Sequence, residues 1–163
     1  MREGMVIKVG MADLNIAMEP DILTTLGLGS CVGIALYDPI IKIGGLAHIM
    51  LPDSTQIKNN ENKAKFADTA MQVLLQQMLK QGAKKNRLVA KIAGGAHMFE
   101  FKNMDDMMRI GTRNVNAVLQ ILEEMRIPLI AQDTGDNYGR TIELHTTTGM
   151  LRVKTIGHGI REI

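Results

Sequence analysis

The chain has 163 residues, 45% of them apolar and 3% aromatic, with a formal net charge of +2 and one cysteine. That length predicts one folded domain over residues 1–163 with a sizeable core. Interleaved charge and scarce aromatics argue against a nucleic-acid partner, because there is neither a basic field nor a stacking platform. A lone cysteine excludes an internal disulfide. No apolar run approaches the ~20 residues that span a bilayer. With no secretory signal pattern at the start either, the expectation is a cytoplasmic protein without direct membrane insertion. The 13 methionines take over space filling from the missing aromatics.

In chain order, residues 5–11 read as a strand, 22–26 as a second extended piece and 31–37 as a third. Asp38-Pro39-Ile40-Ile41 signals a turn, and 43–51 is the returning strand, stopped by Pro52. Residues 59–82 form the clearest helix: Phe66, Ala70, Leu74 and Met78 recur every four residues, with Met71, Leu75 and Leu79 beside them. Gly82 is its expected C-terminal cap. A short strand, 88–93, runs into Gly94-Gly95, and a brief turn or helix is expected over 104–109. A second helix, 113–125, carries Val115, Val118, Leu119 and Leu122 on one face, with Thr112 as its N-cap. Three strands follow at 127–132, 140–147 and 150–156, the last two flanking a Thr148-Gly149 turn as a half-exposed hairpin. Two helices against roughly eight strands, several in hairpins, predict an α+β layered sandwich with mixed sheets rather than a doubly wound parallel sheet.

The chemistry-bearing feature is Cys31, which follows Gly27, Gly29 and Ser30 in a bendable stretch. With Asp38–Ile41 as the turn, Cys31 falls opposite His48, and directly opposed residues of an antiparallel pair share a face at Cβ separations of about 4.5–5.5 Å. A neighbouring imidazole can take the proton of a thiol whose ordinary pKa is near 8.5. Backbone N–H groups freed by the glycines can hold an oxyanion, and a third group must orient the imidazole. Thr24, Thr25 and Ser30 are the hydroxyls at hand. Cysteine is also among the most buried residue types, and His48 lies in an apolar run, so core packing explains each of them taken singly. A metal site from Cys31 with His48, His97, His145 or His158 matches no tight zinc spacing. Gly94 to Phe99 lacks the lysine of a phosphate-binding loop.

The blocks Thr25-Leu-Gly-Leu-Gly-Ser-Cys-Val-Gly33 and Gly44-Gly-Leu-Ala-His-Ile-Met-Leu-Pro52 resemble the CheD family of chemoreceptor glutamine deamidases. Ala93-Gly-Gly-Ala96 with Met98-Phe99, Ile110-Gly-Thr-Arg-Asn114 and Asp133 to Arg140 match in the same order. The resemblance implies an α/β/β sandwich with a Cys-His-Thr triad: Cys31 as nucleophile, His48 as general base and acid, and Thr25 orienting the histidine. It places Ser30 and Gly29 at the oxyanion and substrate-positioning site and requires no metal or cofactor. The implied partners are the cytoplasmic helices of chemoreceptors, as substrate, and the CheC phosphatase. Gly94, Gly95, Met98 and Phe99 are the expected contact surface for that phosphatase. The competing expectation is a mainly non-catalytic regulatory module for it. Asp136 departs from the family pattern, where a second glycine is expected, and predicts an altered loop in an intact fold.

Overall fold

Every residue of Val32–Asp38 (β4) and Ile43–Ile49 (β5) is buried, because both strands are covered on two faces. The computed structural model describes residues 2–98 and 109–163. The other elements are β1 (Val6–Lys8), β2 (Asp13–Met18), β3 (Ile22–Leu28), α1 (Ala67–Lys80), β6 (Val89–Gly94), α2 (Ile110–Met125), β7 (Leu129–Thr134), β8 (Arg140–His145), β9 (Leu151–Thr155) and β10 (Gly159–Glu162). One five-stranded sheet runs β2-β5-β4-β6-β7 and the other β1-β3-β8-β9-β10. Both are mixed, with parallel pairs only at β6/β7 and β1/β3.

Alternation along β4 and β5 produces three layers. Val32, Ile34, Leu36, Ala47 and Ile49 pack against Ala70, Met71, Leu74 and Met78 of α1 and Val118 and Leu122 of α2. Cys31, Ala35, Leu46 and Ala93 meet Leu23, Leu28, Ile142, Leu144 and Val153 of the second sheet. The expected α/β/β sandwich is the architecture that forms. Small residues on the inter-sheet face let the sheets approach closely: a Cβ at Gly33 would run into Ile142 and Leu28.

Two strands were not legible beforehand. Asp13–Met18 places polar Asp13 and Asn15 on a half-exposed edge and owes its extended form to pairing with β5, from Asp13↔His48 to Met18↔Ile43. Gly159–Glu162 is a short exposed edge on β9. The first helix begins at Ala67 rather than residue 59, since Phe66 pairs with Leu51 and the Lys65 carbonyl accepts from the N–H groups of Met50 and Leu51. Tertiary pairing overrides a good helical pattern there. Its C-terminal stop is as expected, with Gly82 at φ +105 and the Ala83 N–H returning to the Met78 carbonyl. The second helix starts three residues early, so Thr112 lies inside its first turn instead of capping it. The element expected over 104–109 lies almost wholly outside the described residues.

Asp136 adopts φ +58, the left-handed conformation that glycine takes most easily, while β7 and β8 on either side keep their pairing. Beside it, Arg140 of β8 reaches between the sheets. Its Nε donates to Asp133 of β7 at 3.0 Å and its Nη1 to the Gly135 carbonyl at 3.0 Å, with the guanidinium 4.7 Å from the Tyr138 ring centre. Removing one member of a buried ion pair leaves the other charge uncompensated. Arg140→Met is therefore expected to lower stability by about 3 kcal/mol or more in denaturant unfolding, and Asp133→Asn in the same chain to recover much of that loss. An unchanged midpoint for the single variant would remove Arg140 from the inter-sheet clamp.

Candidate active site

His48 is the penultimate residue of β5, held on one side by β2 and on the other by β4. Its partner across β4 is Gly33, not Cys31. The predicted register is off by two residues because Asp38 pairs with Ile43, leaving a four-residue turn. Asp38 is pinned by the Ile40 N–H at 3.0 Å and by Arg87 at 2.8 Å, so it stays in the strand instead of opening the turn. A slip of two keeps every side chain on its original face. Cys31 and His48 are therefore diagonal neighbours on the inter-sheet face, about 7–8 Å apart between backbones, and their side chains make no hydrogen bond to each other.

Thr25 comes from the opposite sheet. Its hydroxyl lies 2.7 Å from His48 Nδ1 and donates to the Val9 carbonyl at 2.7 Å. A hydroxyl has one proton. With that proton committed to Val9, the Thr25 oxygen can only accept, so His48 carries its proton on Nδ1 and keeps a lone pair on Nε2. Nε2 is buried and without a hydrogen-bond partner among the described residues. Thr24, another of the three candidate hydroxyls, faces away and donates to the Ile142 carbonyl at 2.8 Å.

Thr25 faces inward two residues after Leu23 of the inter-sheet cluster, and a bulge follows it in β3. Thr25 pairs with Ile142 and Leu28 with Arg140, so Leu26 and Gly27 together stand opposite one residue of β8. Without the extra residue, Thr25 and Leu28 would point to opposite faces; with it, both enter the inter-sheet space. Gly27 supplies the left-handed φ of +70. Its absent Cβ would meet nothing, so conformation alone selects glycine there.

Cys31 lies one residue ahead of β4 and is 8% exposed, against 0% for His48 and 1% for Thr25. The three carbonyls of the preceding run are all taken. Gly29 accepts from the Ala96 N–H at 2.9 Å, Cys31 from the Gly95 N–H at 2.8 Å, and Ser30 from the side chain of Asn114 at 2.9 Å. Among the described residues, the N–H groups of Ser30 and Cys31 have no backbone acceptor. Burial pushes the Cys31 thiol up from its ordinary value and the His48 imidazole down. At neutral pH the pair rests as thiol and neutral imidazole, an arrangement in which Nε2 can take the thiol proton as sulfur attacks a carbonyl carbon.

Gly94 and Gly95, expected at a partner surface, are buried. A Cβ on Gly94 would clash with the Cys31 carbonyl, and one on Gly95 with Val115 and the Gly111 carbonyl. Their role is to let β6 pass against the Cys31 loop and the start of α2. Met98 does reach the surface, 48% exposed, with its side chain over Gly29. Phe99 lies outside the described residues. The remaining histidines are apart from Cys31: His97 meets Thr112, His145 meets Glu143 and His158 stacks on Tyr138. Asn114 was not singled out from the sequence. The signal was present, since an amide occupies the same apolar stripe of α2 as Val118 and Leu122.

A family model described as "CheD chemotactic sensory transduction" matches residues 50–155. The curated protein "Probable chemoreceptor glutamine deamidase CheD" of Caldanaerobacter subterraneus subsp. tengcongensis is 56% identical over 161 residues, covering 99% of both chains. Its namesake in Lachnoclostridium phytofermentans is 57% identical over 160 residues, covering 98% of this chain and 99% of that one. Among solved structures, the Bacillus licheniformis hypothetical protein YfiH aligns at TM-score 0.46 and 15% identity over 75% of this chain and 50% of its own. With the matched family model and relatives of this identity running nearly end to end, the chain belongs to the CheD family.

Proposed function

We propose that the protein, as one deamidase domain over residues 1–163, hydrolyses the side-chain amide of glutamines on the cytoplasmic helices of chemoreceptors to glutamate. The printed names of its relatives support the substrate. The observation that carries the chemistry is the hydrogen-bond relay from His48 Nδ1 through the Thr25 hydroxyl to the Val9 carbonyl, which leaves Nε2 as a base. Cys31 is the nucleophile, His48 the general base and acid, and Thr25 the residue that orients it.

As the Cys31 sulfur bonds to the carboxamide carbon, its proton passes to His48 Nε2, and the carbonyl oxygen becomes an oxyanion held by the N–H groups of Ser30 and Cys31. Collapse breaks the C–N bond, and the imidazolium returns its proton to the departing nitrogen, which leaves as ammonia. A thioester remains. His48 then deprotonates a water that attacks the thioester carbon, and collapse of that adduct expels the Cys31 sulfur, which recovers its proton. Thiol, imidazole and water account for every bond and proton, so the reaction needs no metal or cofactor. Gly29 and Ser30 line the approach to the sulfur, with Met98 over Gly29 as the exposed apolar contact for a helix. That same patch is the remaining candidate contact for the CheC phosphatase implied by the family resemblance. A purely regulatory module has no use for an orphaned Nε2 in its core, and the catalytic reading is the one this atom favours.

Cys31→Ala should abolish conversion of glutamine to glutamate in cognate receptor fragments, read by peptide mass mapping, and His48→Gln should lower it by about 10²–10⁴-fold, the usual contribution of a positioned acid–base. Full activity in folded Cys31→Ala would sink the proposal. The neutral resting pair has its own signature. Because burial lowers the His48 pKa, activity should persist as pH falls through about 6.5, the ordinary imidazole value, and decline only below it as Nε2 protonates. Because burial raises the thiol, iodoacetamide should alkylate Cys31 slowly at pH 7, with the rate climbing only above about pH 8.5. Fast alkylation at pH 6 would instead mean a preformed thiolate–imidazolium pair.

A further inference from the structure

Asn114 is completely buried one turn into α2, and its side chain bridges the loop before β4 and the end of β5. Its Nδ2 donates to the Ser30 carbonyl at 2.9 Å and to the Met50 carbonyl at 2.9 Å. Ser30 is the residue before the thiol, and Met50 lies two beyond His48. Both acceptors demand the amide nitrogen, which leaves Oδ1 buried with no partner among the described residues. An unsatisfied buried acceptor weakens a fold, so stability alone does not account for an asparagine here.

The Ser30 carbonyl and the Cys31 N–H belong to one planar trans peptide, and in such a unit they point in opposite directions. Anchoring the carbonyl toward α2 turns the Cys31 N–H away from α2. The Cys31 side chain lies on that other side, in the inter-sheet cluster, and the thiol is itself in reach of its own N–H. A hydrogen bond to a peptide carbonyl also polarises the unit and strengthens its N–H as a donor.

We propose that Asn114 is the positioning residue of the oxyanion site: by holding the Ser30–Cys31 peptide, it aims the Cys31 N–H at the developing oxyanion while tying the nucleophile loop to the His48 strand. This rests on the amidohydrolase reading above. Asn114 touches neither substrate nor reacting atoms; it acts through the peptide it holds.

The test compares wild type with Asn114→Ala on cognate receptor fragments, alongside alkylation of Cys31 by iodoacetamide. Displacement of iodide at a saturated carbon develops no oxyanion, so it reports the thiol and His48 without the N–H donor. The expected result is a fall in kcat of about 10²-fold, the scale of losing one oxyanion donor, with KM and the alkylation rate nearly unchanged. Undiminished kcat overturns the proposal, as does a parallel change in deamidation and alkylation, which is the mark of a merely structural residue. Should the variant not fold, the wild-type protein decides. A receptor peptide carrying an aldehyde in place of the target carboxamide bonds its carbonyl carbon to the Cys31 sulfur, and the thiol proton ends on the oxygen. In that adduct the Cys31 amide proton and the Asn114 side-chain amide protons should shift together by NMR. Movement at Cys31 without Asn114 overturns the proposal. Wild type that leaves receptor glutamines intact defeats the deamidase reading instead, a separate outcome.

Discussion

Among the buried hydrogen bonds that cross the sandwich, the one at the candidate site runs from Thr25 on β3 to His48 on β5. Polar groups placed there are costly unless paired, and most of the local architecture exists to make this pairing possible. The bulge at Leu26-Gly27 brings Leu28 to the same inward face as Thr25. Gly33, opposite His48, leaves space that a Cβ would lose to Ile142 and Leu28. The Val9 carbonyl absorbs the threonine proton and so decides the imidazole tautomer. Slip β3 or β5 by one residue within its own sheet and the bond is lost, since that strand's side chains would change face.

The nucleophile loop is constrained from the other side. Three consecutive carbonyls are anchored, two by the backbone turn at Gly95-Ala96 and one by Asn114. This needs β6 to leave the sheet in close contact with the Cys31 backbone, which only a residue lacking Cβ permits at Gly94, φ +113. The histidine is therefore positioned by inter-sheet packing and the cysteine by a loop clamped to a helix. The two supports meet at Asn114, which also holds the Met50 carbonyl.

Period-two alternation sufficed to put Cys31 and His48 on one face, and it survived a misplaced turn because the slip was even. The turn itself was misread because Asp38 is kept in the strand by Arg87 and the Lys84 N–H, both distant in sequence. Asp13–Met18 and the extended Phe66 were hidden for the same reason: their conformations come from partners rather than from local pattern. Thr25 was separated from Thr24 and Ser30 through the family resemblance, because the face each hydroxyl takes depends on how β3 pairs with β8. Asn114 did leave a trace, a polar residue in an apolar stripe, but its meaning depends on which carbonyls lie above it.

Burial acts on Cys31 and His48 in directions that oppose proton transfer between them, raising the thiol and lowering the imidazole. A free thiolate is consequently rare in the resting protein, which shields the lone cysteine from oxidants that attack thiolates. The same shifts mean that transfer to Nε2 becomes favourable only as the sulfur–carbon bond forms and charge passes from sulfur to the carbonyl oxygen. The barrier then depends chiefly on how well that oxygen is received. In the proposed reaction the receiving donors are the N–H groups of Ser30 and Cys31, in peptides whose carbonyls are tied to the turn after β6 and to α2. Rate in such a site is governed less by the acidity of the thiol than by how firmly the Ser30–Cys31 peptide is held.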